Sequence, residues 1–383
     1  PGIGSAGHDR VPDPPRPTHE KLQTYRTLDR SAVTVSGLSS GGFFAHQFHV
    51  AYSKLVNGAG IMAGGPYGCA ERIFPPFSLV PLDRVSAATS VCTHYGGALR
   101  YEPKVRNLVR FVAAARRQGI IDDPAGLADD RVWLFLGADD EIVPAGVMES
   151  VKGLYEALGV REPKLHFEPK DRQPSANHGI PVAKFTGESK FIDRAGQPPR
   201  RCGEHGPPYV IECGYEAAEL LLRHLYAGRF GNEPKDPHHE GRLIGFDQTE
   251  FFDPSDDRTS MNRVGYLYVP ATCENDPNNS ARSGACRLHI AFHGCHQNVD
   301  SIHDDFIRDA GYNRWAAAND IIVLYPQAAK WVWDVPNPLD PFNLLTNPNG
   351  CWDFWGYSGS GYYGQNGKQM RAVKAMIDRM LGN

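Results

Sequence analysis

The segment Val35-Ser36-Gly37-Leu38-Ser39-Ser40-Gly41-Gly42 sets a Gly-x-Ser-x-Gly pentapeptide between a short β-branched run and a stretch of helical periodicity. A serine at a sharp strand-to-helix turn stands clear of the backbone, and small residues two places before and after it let the helix come close. Ser39 is therefore the candidate nucleophile. The same pentapeptide also occurs by chance in loops, so its flanking strand and helix matter. An ordinary serine hydroxyl attacks poorly. It needs a histidine to accept its proton and a carboxylate to hold that histidine's tautomer. Where such a turn is used, the chain order is Ser, acid, His. The apolar run Val132 to Leu136 leads into Gly137-Ala138-Asp139-Asp140-Glu141, and the register favours Asp140 over Asp139 and Glu141. A plain turn or helix-capping aspartate is the alternative. The next strand, Lys164 to Phe167, is followed by Ser175-Ala176-Asn177-His178-Gly179. His178 is the candidate base. His166 alternates within the strand and His205 lies in a loop beyond Cys202; with 15 histidines in the chain, position in the order decides.

Acyl transfer also requires two backbone N–H groups aimed at the developing oxyanion. The residue after the nucleophile, Ser40, supplies the first. His293-Gly294-Cys295-His296 ends a strand and offers the amide of Cys295 as the second, with His293 read as packing beneath the site. A further signal is aromatic crowding in Cys351-Trp352-Asp353-Phe354-Trp355-Gly356-Tyr357. With Phe43 of the nucleophile segment, Trp355 and Tyr357 are candidates to face an apolar ligand, although most such rings simply pack.

These residues need strands and helices to carry them. Strands are expected at Ala32 to Val35, Gly60 to Ala63, Val132 to Leu136, Lys164 to Phe167, Val264 to Val269, Leu288 to Phe292 and Ile321 to Tyr325. Helices are expected from Ser39 to about Val56, then at Lys104 to Gln118, Gly146 to Leu158, Tyr215 to Tyr226, Asp304 to Ala318 and Gly367 to Leu381. Such alternation argues a mostly parallel central sheet flanked by helices. The order is unusual, because an oxyanion loop of the His-Gly type normally precedes the nucleophile. Here it lies near the C-terminal end. Joining Asn383 to the N-terminus would restore the ordinary order, so the expected fold is a circularly permuted α/β-hydrolase. Residues 31–383 then form one catalytic domain behind an N-terminal extension, 1–30, since neither half would own a complete sheet. Two domains divided at the polar connector Asn232 to Arg242 are the alternative.

Composition narrows the partners. A net charge of -4 over 383 residues, 22% of them charged, leaves no basic field for nucleic acid. No apolar run reaches the ~20 residues a bilayer span needs, and no signal segment precedes the Pro-rich start. A monomer without metal or organic cofactor is expected. Eight cysteines, Cys69, Cys92, Cys202, Cys213, Cys273, Cys286, Cys295 and Cys351, contain no Cys-x-x-Cys pair. Disulfides in an oxidising compartment, hence a secreted protein, fit better than zinc or redox chemistry. Asn278-Asn279-Ser280 is a weak secretory sign. Eight cysteines allow 105 pairings; our reading joins Cys202 to Cys213 and Cys273 to Cys286 across short loops, then Cys69 to Cys92 and Cys295 to Cys351.

Together the motifs resemble one family, the fungal-type single-domain extracellular poly(3-hydroxybutyrate) depolymerases. The resemblance covers most of the chain. It is carried by the Ser39 segment, Ala63-Gly64-Gly65-Pro66-Tyr67, Gly265-Tyr266-Leu267-Tyr268-Val269-Pro270, His293-Gly294-Cys295, Leu324-Tyr325-Pro326-Gln327 and Asn349-Gly350-Cys351-Trp352-Asp353. It implies a circularly permuted α/β-hydrolase with the triad Ser39, Asp140 and His178, amide donors Ser40 and Cys295, and Trp352 as a subsite residue. It also implies disulfides through all eight cysteines. The implied activity is hydrolysis of an aliphatic polyester through an acyl-enzyme, with a hydrophobic polymer surface or an oligomeric ester as partner. Segments Tyr101 to Asp130 and Ala329 to Thr346 are longer than the family pattern, and Phe43-Phe44 and Phe354 stand where residues vary, which bears on specificity. A carboxylesterase for small soluble esters, such as feruloyl esters, and a non-catalytic secreted binding protein are the competing readings.

Overall fold

The computed structural model describes residues 20–71, 84–94, 102–168, 175–185, 200–231, 233–234, 241–275, 285–333 and 346–383. Residues 1–19, the Asn278-Asn279-Ser280 triplet and positions 334–345 of the longer loop lie outside them. Four strands open the main sheet: β1 (Leu28–Leu38), β2 (Gly58–Met62), β3 (Arg131–Phe135) and β4 (Leu165–Phe167). A small second sheet follows, made of β5 (Ile180–Val182), β6 (Arg200–Arg201) and β7 (Val210–Glu212). The main sheet resumes with β8 (Gly241–Asp247), β9 (Val264–Pro270), β10 (Cys286–Phe292) and β11 (Ile321–Tyr325).

Across the eight-stranded sheet the order is β4-β3-β2-β1-β10-β11-β9-β8. Pairing is parallel from β4 to β11 and antiparallel only where β9 meets β11 and β8. Counted from β8 as the first strand, with β1 following β11, the order reads 1-2-4-3-5-6-7-8. That is an α/β-hydrolase sheet entered at its fifth strand, the one that carries the nucleophile. The segment leading into β1 meets the C-terminal helix, Lys368–Leu381, as such an order requires. Tyr25 N donates to Met380 O at 2.8 Å, Thr24 Oγ1 to Arg379 O at 2.7 Å and Arg30 Nη2 to Leu381 O at 2.8 Å.

The central strands are buried on both faces, as a parallel sheet between helices must be: every residue of β2, β10 and β11 is buried. The sequences of β2 and β11 are accordingly continuous apolar or glycine runs rather than alternating ones, whereas β10 carries Arg287 and His289 between its apolar residues. Helix α1 (Ser40–Ala51) is buried at all 12 positions and packs on β1, β2 and β10. Its entry is only possible with glycine. A Cβ on Gly41 would collide with the carbonyl oxygens of Phe292 and His293, and one on Gly37 would collide with the Gly41 backbone. Gly41→Ala should therefore destabilise the protein by about 1–3 kcal/mol, because the obstructing atoms are backbone and cannot rotate away. Urea unfolding with an unchanged midpoint would contradict this.

Several sequence expectations need correction. The boundary drawn at residue 30 falls inside β1, which begins at Leu28, and Glu20 already bridges Phe246 of β8. The connector expected at 232–242 runs into β8, an edge strand that the sequence reading missed. The helix expected at Asp304 to Ala318 is two helices, Asp305–Asp309 and Tyr312–Ala318, parted at Gly311 with φ 84°. Helix α1 ends at Ala51 rather than near Val56. Four disulfides join Cys69–Cys92, Cys202–Cys213, Cys273–Cys286 and Cys295–Cys351. Among the described residues no helix is long and apolar enough to cross a membrane.

Among the fully buried imidazoles, burial alone or foremost lowers the pKa of three: His46 and His289 to about 3, His293 to about 4. His289 sits between Thr34 Oγ1 at 2.7 Å and Ser36 Oγ at 2.8 Å. An unfolded chain would protonate these groups below about pH 6.5, whereas the folded one holds them neutral. Their contribution is thus fully present above that value and is lost as pH falls, by about 1.4 kcal/mol per unit for each ring. The urea midpoint should be lower at pH 5 than at pH 7; equal midpoints would show that these rings are not buried neutral.

Candidate active site

Ser39 follows β1 with φ 55° and ψ -122°, a strained conformation for a residue with a side chain, and is half-buried. Its own amide is spent on Met62 O at 2.9 Å, and its carbonyl accepts from Phe43 N at 2.9 Å. The turn is thus tied to both β2 and α1, and the hydroxyl is pushed out at the carboxyl end of the sheet. Ser39 lines a cavity of about 350 Å³.

The loop after β3 brings up the carboxylate. Asp140 Oδ1 accepts from the amides of Ile142 at 2.9 Å and Val143 at 2.8 Å. Its Oδ2 lies 2.9 Å from His178 Nδ1, with the Asp140 side chain 1% and the His178 side chain 6% exposed. The carboxylate is fixed on one oxygen and presents the other to the ring. Two ties hold this loop against the histidine segment: Asp139 N donates to Ala176 O at 3.1 Å, and a Cβ on Gly137 would collide with that same carbonyl. His178 N is in turn held by Asn177 Oδ1 at 2.7 Å, and Asn177 N by Cys202 O at 2.9 Å. The competing carboxylates, Asp139 and Glu141, are exposed. His166 of β4 instead lies 3.1 Å from Glu168, just past the strand.

His178 and Ser39 share the cavity wall. Among the described residues no hydrogen bond joins Ser39 Oγ to His178 Nε2; such contacts are often long in empty sites and tighten on substrate. His205 stands beside His178, ring centre to ring centre 6.1 Å, and burial followed by that neighbouring ring lowers its pKa.

On the far side of Ser39 lies the end of β10. A Cβ on Gly294 would sit 3.4 Å from Ser39 Cβ, so the His293-Gly294-Cys295 turn touches the serine, and Cys295 lines the cavity. Neither Ser40 N nor Cys295 N donates to a protein acceptor among the described residues. Two free amides therefore flank the hydroxyl, one from each end of the chain. An ester carbonyl seated against Ser39 Oγ would have a nucleophile, a proton acceptor and two oxyanion donors around it.

No family model matches the chain. Against curated proteins it is 30% identical over 360 residues to a polyhydroxybutyrate depolymerase of Talaromyces funiculosus, covering 92% of this chain and 91% of that enzyme. The chain belongs to the polyhydroxybutyrate depolymerase family. It is also 32% identical over 354 residues to a poly(3-hydroxybutyrate) depolymerase of Delftia acidovorans, but spans only 60% of that enzyme's length. Among solved structures it superposes on the PHB depolymerase of Penicillium funiculosum with TM-score 0.72 and 29% identity, over 94% of this chain and 99% of that one. A PHB depolymerase with alanine in place of a serine, in complex with an R3HB trimer, gives TM-score 0.73 at the same identity and coverage.

Within this family, the chain surrounds the site with fewer of the expected rings. Phe43 and Trp355 line the cavity, with Phe354 stacked on Phe43 at 4.2 Å and Trp355 edge-on to Phe354 at 4.9 Å. Trp352 and Tyr357 do not. Trp352 is fully buried against Phe44, Phe292 and His293, beneath the cavity rather than on its wall. Tyr357 is equally buried, its hydroxyl donating to Cys351 O at 2.7 Å. Both were expected to meet ligand and instead lie beneath the loop whose Phe354 and Trp355 line the cavity. Sequence reading missed Asp353, whose carboxylate accepts from Trp355 N, Gly356 N and Ser358 N and so shapes the Phe354-Trp355 turn. An aspartate two and three residues before such amides is an Asx-turn signal that was available. Also missed was the wall of Val85, Ala88 and Thr89, which lies in a stretch read only as loop. Among the described residues no cluster suited to a metal ion occurs.

Proposed function

We propose that this chain is a secreted serine esterase that hydrolyses aliphatic polyester, poly(3-hydroxybutyrate) or a related polyhydroxyalkanoate, through an acyl-enzyme. Ser39 Oγ attacks the ester carbonyl carbon while its proton passes to His178 Nε2. The carbonyl oxygen becomes anionic and is met by the amides of Ser40 and Cys295. The tetrahedral adduct collapses, the ester C–O bond breaks, and the imidazolium of His178 protonates the leaving alcohol. Water, deprotonated by the same ring, then releases the acid and restores Ser39. Asp140 keeps the Nδ1 proton in place and steadies the imidazolium throughout.

The observation that carries this reading is the convergence of Ser39, His178 and Cys295 on one cavity walled by Phe43, Phe354 and Trp355. A neutral polyester offers no charge to bind, so affinity has to come from apolar and aromatic contact. Membership of the depolymerase family supports the choice of substrate class. The paired state of all eight cysteines supports placement outside the cell. The pairing of β1 with β10 supports a single catalytic domain, since one sheet draws on both halves of the chain.

Product analysis on a panel of polyester films tests the proposal. Soluble hydroxyacid monomers or oligomers should appear from polyhydroxyalkanoate films. Turnover of small soluble esters with no release from any film would replace the reading by a small-ester carboxylesterase. Phe354→Ala should raise the half-saturating oligoester concentration about tenfold, what about 55 Å² of lost apolar contact is worth at ~25 cal/mol per Å², while a short acetate ester is turned over as before. Equal effects on both esters would exclude the aromatic wall as a chain-binding surface.

A further inference from the structure

We propose that His293 is a positioning residue that sets the plane of the Gly294–Cys295 peptide and thereby aims the Cys295 N–H at the oxyanion. The proposal rests on the acyl-transfer reading above, and adds to it the cause of that amide's orientation.

His293 is fully buried at the end of β10 and does not reach the cavity. Both ring nitrogens are engaged. Ala328 N–H donates to Nε2 at 3.0 Å, so Nε2 holds a lone pair and the proton of the neutral ring sits on Nδ1. Nδ1 lies 2.7 Å from Gly294 O, which therefore accepts that proton's hydrogen bond. In a trans peptide the carbonyl and the following N–H point in opposite directions. Holding the Gly294 oxygen down on the buried ring turns the Cys295 N–H up, away from the ring and toward the cavity that Cys295 lines.

The neighbouring donor is removed from competition. Gly294 N–H is taken by Gln297 Oε1 at 2.7 Å, and Gln297 Nε2 is spent on Pro208 O at 3.0 Å. Of the two consecutive amides, only that of Cys295 is left to meet a ligand. The imidazole plane is itself braced, with Phe306 edge-on at 6.2 Å and Trp352 at 5.6 Å. Burial keeps the ring neutral down to about pH 4, so the Ala328 contact survives in mildly acidic conditions.

Two measurements test this. Nitrogen-15 spectra of histidine-labelled native protein should show the His293 ring as the Nδ1–H tautomer, its signal identified by its loss in His293→Asn. A ring protonated on Nε2 alone would overturn the proposal whatever the variants do. With a soluble butyrate ester, His293→Leu should lower kcat about 100-fold, the worth of one oxyanion donor, and leave KM within about twofold. His293→Asn, whose amide nitrogen can take the place of Nδ1, should recover about tenfold of that loss. A His293→Leu enzyme with undiminished kcat, or a folded His293→Asn enzyme no better than the leucine variant, would refute the role. Ser39→Ala run alongside separates the two readings. If it is dead while His293→Leu is fully active, only the positioning role fails; if it is active, the acyl-transfer reading falls first.

Discussion

Ser39→Ala is expected to lower kcat on a soluble ester by about 10⁶-fold while leaving the thermal unfolding midpoint unchanged. The size follows from the nucleophile and base acting as a unit: without Oγ no acyl-enzyme can form, and only binding and oxyanion stabilisation remain to help water attack. Stability should hold because the hydroxyl makes no hydrogen bond among the described residues, whereas the strained turn is secured through backbone atoms, Ser39 N to Met62 O and Phe43 N to Ser39 O. Alanine keeps both bonds. The comparison of unfolding curves with initial rates checks the two halves separately. A residual rate within about a hundredfold of the parent would mean that another group carries the chemistry.

Asp140→Asn should cost about 10⁴-fold in kcat with little change in KM. One carboxylate oxygen is committed to the amides of Ile142 and Val143, so an asparagine carbonyl there preserves the loop. Its NH₂ group then faces His178 Nδ1 across the 2.9 Å gap that Oδ2 now spans. Two donors cannot share that gap. The ring must offer Nδ1 as acceptor and move its proton to Nε2, where it can no longer take one from Ser39. Activity of the variant should recover as pH is raised, because hydroxide can replace the lost base. A rate close to that of the parent would show that Asp140 does not set the tautomer.

The parts of this site that were legible in the sequence sit where strands stop. Ser39 follows β1, Asp140 follows β3 and Cys295 follows β10, each marked by glycine where one backbone crosses another: Gly41 under Phe292 and His293, Gly137 against Ala176, Gly294 over Ser39. Close crossings leave small residues in the sequence, and those can be read. The permuted order was legible for the same reason, since motif order survives without knowledge of contacts.

What escaped was whatever depends on which way a ring turns. Trp352, Phe354, Trp355 and Tyr357 lie within six residues of chain, yet Trp352 and Tyr357 face the core while Phe354 and Trp355 line the cavity. Irregular backbone held by Asp353 sets those directions, and no periodicity announces them. The strands β5, β6 and β7 have three, two and three residues, too few for alternation to register. Strand β8 is an edge strand of mostly half-buried residues with Gly245 in it, so it presents neither an apolar run nor a clear face. The break at Gly311 within an otherwise helical pattern was visible as a glycine, but only packing against Glu216 and Ala218 shows that the chain turns there.

Reaction of the intact protein with a serine-directed fluorophosphonate, followed by peptide mapping of the adduct, addresses the nucleophile without any assumption about substrate. One adduct per chain is predicted, on the peptide containing Ser39, forming far more slowly in Asp140→Asn and not at all in Ser39→Ala. An unmodified Ser39, or an adduct on any other residue, would contradict the account.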